Sequence, residues 1–455
     1  MRLEIIILAA GQGTRMRSSL PKVLHRIGRE SLLEHVYALA VSLDADKITV
    51  VYGHGGERVP RALPHLDVVW VEQAQQLGTG HAVMQAADGI DDQATVLILY
   101  GDVPLLTKET VARLLPLAGP ESLGLLTAEL ADPQGYGRVL RNAEQRVVRI
   151  VEEKDASPTE RMIREVNTGI LAVQGRRLKH WLGRLANDNA QGEYYLTDIV
   201  ALAVADGVSI QTVRAGCADE ILGVNDRRQL AQLERVFQAR QAARLMLAGV
   251  HLRDPARFDL RGELVAVGSD VEIDVNVILE GRVTLGDRVR IGPNSLIRDA
   301  EIGDDVEILA NCVIENAVIG RGSRIGPFAR LRPETRLAEE VHIGNFVEVK
   351  QSSIARRSKA NHLAYIGDAI IGADVNVGAG TITCNYDGAN KHQTVIEDGA
   401  FIGSNTALVA PVRVGVNATI GAGSVLTQDA PENALTLSRA QQVTRPGWQR
   451  PSKRS

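Results

Sequence analysis

The sequence predicts two structural classes in one chain: an α/β unit with a mostly parallel sheet, then a long helix, then a parallel β-helix. Three observations predict this. Short continuous apolar runs alternate with helical patterns up to about residue 227. Residues 226–248 then carry no Gly or Pro and repeat apolar side chains at helical spacing. Beyond them, aliphatic residues recur at steps of six as far as residue 420. A chain of 455 residues is also too long for one ordinary domain, at roughly 150 residues each.

The first unit, residues 1–227, contains the runs "LEIIILAA", "KITVVYG", "DVVWVEQ", "TVLILYGD" and "LGLLTAEL". Between them lie helical patterns such as "SLLEHVYALAVSL" and "TGHAVMQAAD". A strand buried on both faces reads as an unbroken apolar run, so this alternation predicts a Rossmann-like sheet covered by helices on both sides. Leu230, Leu233, Val236 and Phe237 then mark a helix. Taken as a linker over 228–249, it would span roughly 33 Å at 1.5 Å per residue.

The second unit, 250–455, follows another arithmetic. Val267, Ile273, Leu279, Leu285, Ile291 and Ile297 open a count that later runs through Ile402, Leu408, Val414 and Ile420. A period of six is neither helical nor a simple alternation. It fits a coil with three flat faces, one aliphatic side chain pointing inward from each. Typical units are "IGDDVE", "IGRGSR", "IGADVN" and "IGAGSV". The count lapses between 331 and 343 and again between 350 and 366. The second lapse, within "KQSSIARRSKANHLAYIGD", is expected to leave the solenoid as a loop and carry a binding face.

Composition narrows the function. Hydrophobic content of 45% is globular, and a net charge of −4 makes no electrostatic case for nucleic acid. The basic tail (Arg445, Arg450, Lys453, Arg454) reads as a solvated terminus. Cys217, Cys312 and Cys384 form no CxxC pair, which fits a reducing compartment. The opening "MRLEIIILAAG" reads as a first strand, and no segment approaches the roughly 20 apolar residues of a membrane span. The expected location is cytoplasmic.

The chemistry begins at "IILAAGQGTRMRSSLPK", which is neither a P-loop nor a dinucleotide fingerprint. Gly11 and Gly13 let the backbone approach an anion, and Arg15 and Lys22 add positive charge, which suits a triphosphate. Asp102 in "LYGDVPLL" follows a strand, where a carboxylate can hold a divalent cation. "EVNTGI" and "GVND" supply the short amides Asn167 and Asn225, and "QAQQLGTGHAV" a second Gly/Thr turn. In the second unit, His362 and Tyr365 follow Arg332, Glu348 and Lys350, and precede Asn376, Asn385 and Tyr386. A neutral imidazole can take a proton from an amine attacking a thioester, and a nearby carboxylate, here Glu348, could hold its tautomer.

"LAAGQGTRM…PK", "GTGHA", "YGDVPL", "GYGR", "NTGI" and "GVN" resemble the motifs of sugar-phosphate nucleotidyltransferases. Together with "ARLRP", "NFVEVK", "KANHLAYIGD", "GAGTITCNYDG" and "IGAGSV", they make nearly the whole chain similar to one bacterial family. That family is the bifunctional N-acetylglucosamine-1-phosphate uridyltransferases/glucosamine-1-phosphate acetyltransferases. The resemblance implies a left-handed β-helix and a homotrimer whose acetyl-transfer site is built from neighbouring subunits. It implies that Leu8, Ala9, Ala10, Gly11, Gln73, Gly78, Thr79, Tyr100, Gly101 and Asp102 contact the uridine nucleotide, with Lys22 on its phosphates. Gly137, Glu152 and Asn167 would bind the amino sugar, and Asp102 and Asn225 would hold Mg²⁺. His362 would be the general base. Arg332, Lys350, Tyr365, Asn376, Asn385 and Tyr386 would bind glucosamine 1-phosphate; Ala379, Ser404, Ala422 and Arg439 would line the acetyl-CoA site. Acetylation would come first, then transfer of UMP from UTP to N-acetylglucosamine 1-phosphate, with neither nucleic acid nor membrane as partner. The departure is Asn361, where the resemblance leads one to expect Gly before the His. Three rivals stand beside this reading. They are a nucleotidyltransferase whose β-helix only regulates, a zinc hydratase drawing on His342, His362 and His392, and a scaffold without activity.

Overall fold

The computed structural model describes residues 2–53, 55–451 and 453, and the chain divides into two compact units between Phe237 and Gln238. Arg454 of the basic tail lies outside the described residues.

In the first unit, strand Leu3–Ala9 pairs in parallel with Lys47–Tyr52 and with Thr95–Tyr100, and Val69–Glu72 extends the sheet in parallel. On the other side Glu165–Gln174 runs antiparallel between Thr95–Tyr100 and Ser122–Glu129. Ser209–Arg214 then pairs in parallel with Ser122–Glu129. The parallel strands therefore open their C-terminal ends on one edge, and the reversed strand brings its beginning, Asn167, to that edge. Ile5 and Ile7 pack with Leu33, Val36 and Ala40 of helix Leu32–Ser42. Ile6 and Leu8 pack on the opposite face with Val83, Leu178 and Trp181. The period of two is present, but both faces are apolar, so the sequence reads as a run. Ser31 starts helix Leu32–Ser42 with a capping box completed by Glu34.

Helix Arg227–Leu247 forms as expected. The Asp226 carboxylate accepts from the N–H groups of Arg228 and Gln229 and so caps it. It is not a free-standing linker. Leu230, Leu233, Val236 and Phe237 pack with Met16, Ile27, Leu32 and Leu105 of the first unit. Ala242 and Leu245 belong to the core of the second, where the buried Gln238 amide bonds both the N–H and the C=O of Leu260.

The second unit is a parallel β-helix. Ile273, Ile291, Ile308, Ile325 and Ile343 stand above one another on one face. Leu279, Ile297, Ile314, Leu331, Val349 and Ile366 do so on a second. Leu285, Ile302, Ile319, Leu337, Ile354 and Ile371 line the third. All of these are buried.

The two lapses in the hexapeptide count are not loops. Leu337 bridges the first; Ile354 and Ala360 fill the second, each buried and in register. The pattern is obscured because Ala360 is small and because the steps from Val349 to Ile354 and from Ile366 to Ile371 are five residues, not six. His362 therefore sits on a coil of the solenoid, at the end of strand Lys359–His362, and Asn361 takes extended backbone within it. The excursion lies further on, between strands Ile382–Cys384 and Thr394–Ile396. There the register partners Val377 and Ile402 are 25 residues apart, against 17 for Ala360 and Val377.

Truncating one inward aliphatic side chain should cost the β-helix about 2–5 kcal/mol, as for other buried Ile→Ala changes. Ile314→Ala, at a fully buried position, tests this by urea denaturation. A loss within error of zero would mean that the faces do not carry the fold.

Candidate active sites

The sheet edge of the first unit holds a cavity of about 460 Å³, within the range of roughly 300–1,000 Å³ usual for small-molecule sites. Leu8, Ala9, Ala10 and Gly11 line it where strand Leu3–Ala9 ends, and Tyr100 and Asp102 where Thr95–Tyr100 ends, with Gly101 between them. Lys22, Gln73, Gly78 and Thr79 complete the expected set. Gln12, Gln76 and Glu193 also line it; the first two lie within the glycine-bearing motifs without having been singled out, and Glu193 arrives from far along the chain.

Each side chain is held by a specific neighbour. The Lys22 ammonium pairs with the Asp102 carboxylate. Gln73 Nε2 donates to the Gly78 carbonyl at 3.1 Å and faces His81 Nδ1 at 3.0 Å, which fixes the carboxamide. Gly78 has φ +110, and a side chain there would run into the Tyr194 backbone, so only glycine fits this approach. The Thr79 hydroxyl accepts from the Leu196 N–H at 3.1 Å.

Gly137, Glu152 and Asn167, far apart in sequence, come together. The Asn167 N–H donates to the Gly137 carbonyl at 2.8 Å, and Gly137 lies against the Glu152 carboxyl. "NTG" is an irregularity in strand Glu165–Gln174: Gly169, at φ +81, donates to Asn167 Oδ1 at 3.1 Å and makes room for the Tyr100 ring. Burial pushes the Glu152 carboxyl pKa up, helped by the charges of Asp198, Asp155 and Glu193, while the Thr197 hydroxyl, donating at 2.9 Å, works the other way. Tyr100 is pushed up too, by burial first and then by Glu152 and Asp102, so it joins this cluster to the cavity.

Asn225 lies next to Val224, whose N–H donates to the Asp102 carbonyl at 2.9 Å. A hard divalent cation fits these groups: one carboxylate and one amide oxygen, with the rest of the shell left to water and phosphate. Among the described residues no three His, Cys, Asp or Glu side chains converge on a point, so there is no all-protein cage. Arg15 is not brought into the cavity lining; it stands exposed on the turn Thr14–Met16.

In the β-helix, register lines up a corner column. His362 stands opposite Asn345, and the next coils continue it through Ala379, Ser404 and Ala422, two residues past the core positions Val377, Ile402 and Ile420. Arg439 reaches back to donate to the Ala422 carbonyl at 2.9 Å. Contrary to the expectation for Glu348, the His362 partner is the Asn345 side-chain oxygen, 2.8 Å from Nδ1. Glu348 is instead held by Arg332 at 2.8 Å, because the parallel register sets it over Arg330 and Tyr365, on another face.

That other face holds a second group. Lys350 lies 3.6 Å from Asp368, which also accepts from Asn385 Nδ2, and Asn385 stands 3.5 Å from the Tyr365 hydroxyl. The excursion carries Tyr386, exposed, and Lys391, bridged to it through the backbone. Lys350 faces Lys391 and lowers its ammonium pKa, so two cations meet at one place. Asn376 stands on the strand next to that of His362, paired with Lys359 and Phe401. Among the described residues no hydrogen bond or ion pair joins the His362 column to the Lys350 group. Asn345, Asp368 and Lys391 were missed by sequence reasoning; counting back one coil of 17 residues from His362 would have found Asn345.

The model of the MobA-like NTP transferase domain matches residues 5–167. The GMPPB C-terminal domain matches 262–345, and the hexapeptide repeat of succinyl-transferase matches 393–428, a repeat in keeping with a left-handed coil. The chain is 69% identical to the bifunctional protein GlmU of Methylococcus capsulatus, over 100% of its own length and 98% of that protein's. It is 60% identical to that of Aromatoleum aromaticum, covering 99% of both. To that of Stutzerimonas stutzeri it is 58% identical, covering 100% of both.

Glu152 also makes a stability prediction. Its folded pKa lies above the ordinary 4.5, so the folded chain binds more protons than the unfolded one once pH exceeds that value. Stability therefore falls as pH rises from there through the folded pKa. Glu152→Gln removes this penalty. The variant should melt higher than the wild type at pH well above neutrality, the gap closing as pH falls below the carboxylate range. Equal melting at alkaline pH would contradict the buried-carboxyl account.

Proposed function

Because the chain belongs to the family of bifunctional GlmU proteins, we propose that its two sites perform successive steps on one amino sugar. The chain is a bifunctional nucleotidyltransferase and acetyltransferase of UDP-N-acetylglucosamine biosynthesis. The observation that carries the assignment of steps is the His362 column, a hydrogen-bonded imidazole in line with Ala379, Ser404, Ala422 and Arg439.

In the first step the amine of glucosamine 1-phosphate attacks the thioester carbonyl of acetyl-CoA. His362 Nε2 takes the amine proton, the C–S bond breaks, and the coenzyme A sulfur leaves with the electron pair and receives that proton. Arg332, Lys350 and Lys391 meet the sugar phosphate, with Tyr365, Asn376, Asn385 and Tyr386 around the sugar. Ala379, Ser404 and Ala422 are small enough to leave a groove for acetyl-CoA, and Arg439 faces its phosphates. The His362 column and the Lys350 group lie on different faces of one coil, which supports a homotrimer whose site combines one from each of two subunits.

In the second step a phosphate oxygen of N-acetylglucosamine 1-phosphate attacks the α-phosphorus of UTP. The bond to the β-phosphate oxygen breaks, and pyrophosphate leaves. Gly11 and the backbone before it approach the phosphates, Lys22 turns from Asp102 to them, and Arg15 neutralises charge from its exposed turn. Gln73, Gly78 and Thr79 hold the nucleotide, Tyr100 and Gly101 the floor, and Gly137, Glu152 and Asn167 the N-acetyl sugar. Asp102 and Asn225 would hold Mg²⁺, which when bound supplies charge neutralisation at the phosphates. The work is alignment and electrostatics, with no covalent intermediate. No described helix is long and apolar enough to cross a membrane; the cytoplasm, with its UTP and acetyl-CoA, is the proposed location.

The test follows thiol release from acetyl-CoA with glucosamine 1-phosphate beside pyrophosphate release from UTP with N-acetylglucosamine 1-phosphate. His362→Ala should lower the first by about 10²–10⁴-fold, the usual worth of a general base, and leave the second. Loss of both, or survival of the first, would refute the assignment.

A further inference from the structure

We propose that Asn345 is the positioning residue of acetyl transfer, its side-chain oxygen fixing the His362 ring in the tautomer that leaves Nε2 free to take the amine proton. The proposal rests on the reading of His362 as the base.

Asn345 ends strand His342–Asn345 as His362 ends Lys359–His362, and parallel register sets them opposite. Asn345 Oδ1 lies 2.8 Å from His362 Nδ1. An amide oxygen can only accept, so the ring nitrogen facing it carries the proton, and a neutral imidazole then has its lone pair on Nε2. The backbone fixes the same pair a second time: the Leu363 N–H donates to the Asn345 carbonyl at 3.1 Å. Just before them the coils press together, because a side chain at Gly344 would run into the Asn361 carbonyl. His362 itself is exposed, and among the described residues the hydrogen-bond partner of its ring is Asn345 Oδ1.

The partner is also neutral. On the neighbouring strand the titratable group is His342 and on its own strand Lys359; His342 feels the charges of Arg324, Lys359 and His362, and the Glu307 carboxylate acts on it the other way. Strand Asn376–Val377, on the other side, carries no titratable residue. Beyond the corner lies Tyr365, and Glu348 is occupied by Arg332. An amide thus orients the base without stabilising the imidazolium, which a carboxylate in its place would do.

The experiment compares the full-length wild type, His362→Ala, Asn345→Ala and Asn345→Asp. Thiol release is measured from roughly pH 5 upward, across the imidazole range, with circular dichroism as the fold control. Asn345→Ala should lower kcat by about 10–100-fold, as for other groups that orient a functional histidine, with KM for both substrates nearly unchanged. Asn345→Asp should recover much of the rate at high pH, with the acidic limb of the profile moved to higher pH. An Asn345→Ala kcat within about twofold of wild type, or an Asn345→Asp limb that does not move, overturns the proposal; if Asn345→Ala does not fold, the limb decides. Thiol release surviving in His362→Ala overturns the base reading and the proposal with it. Its loss there beside a normal Asn345→Ala overturns the positioning role alone.

Discussion

Parallel pairing in register is the constraint from which both units follow. A parallel ladder is evenly bonded, so a residue at a given height in one strand meets a residue at the same height in the next. In the first unit this opens the ends of Leu3–Ala9, Lys47–Tyr52, Val69–Glu72 and Thr95–Tyr100 along one edge, and the cavity forms there. In the second it turns a spacing of 17 or 18 residues into a vertical column, as from Ile291 to Ile308 and from Ile325 to Ile343. The columns that bury Ile and Val also place Asn345, His362 and Ala379 in line.

Charge in both sites is paired before any substrate is considered. Lys22 holds Asp102, Arg332 holds Glu348, and Lys350 lies by Asp368. Such partly buried pairs contribute modest net stability, because desolvation offsets their attraction. Under the proposed function they suit exchange: a phosphate that drew Lys22 away would leave the Asp102 carboxylate ready for a cation. Glu152 is the exception, buried among acids with a hydroxyl rather than a cation as partner. Under the proposed function, in which Glu152 holds the amino sugar, its burial is kept at a cost in stability.

The alternation of buried strands and the six-residue period were legible because each follows directly from which faces are apolar. Gly11 and Asp102 were legible as residues just past strand ends, and Lys22 as a cation close to the glycine turn; Leu8 to Ala10 entered through the resemblance. The excursion was misplaced because Ala360 is a core residue too small to register as one, and because five-residue steps break the count. Asn345 was hidden because its contact with His362 spans 17 residues and depends on coil length. Gly137 and Glu152 entered through family resemblance alone, and Asn167 as a short amide in "EVNTGI"; no local pattern tells that an irregularity at Gly169 brings them together near Tyr100.

The central claim is that one chain holds two independent chemistries joined by a released intermediate. The direct measurement gives glucosamine 1-phosphate, acetyl-CoA, UTP and Mg²⁺ to purified Asp102→Asn, to His362→Ala and to a mixture of the two, and follows UDP-N-acetylglucosamine. The account predicts no product from either variant alone and product from the mixture. An inactive mixture of folded variants, or product from either one alone, would contradict it.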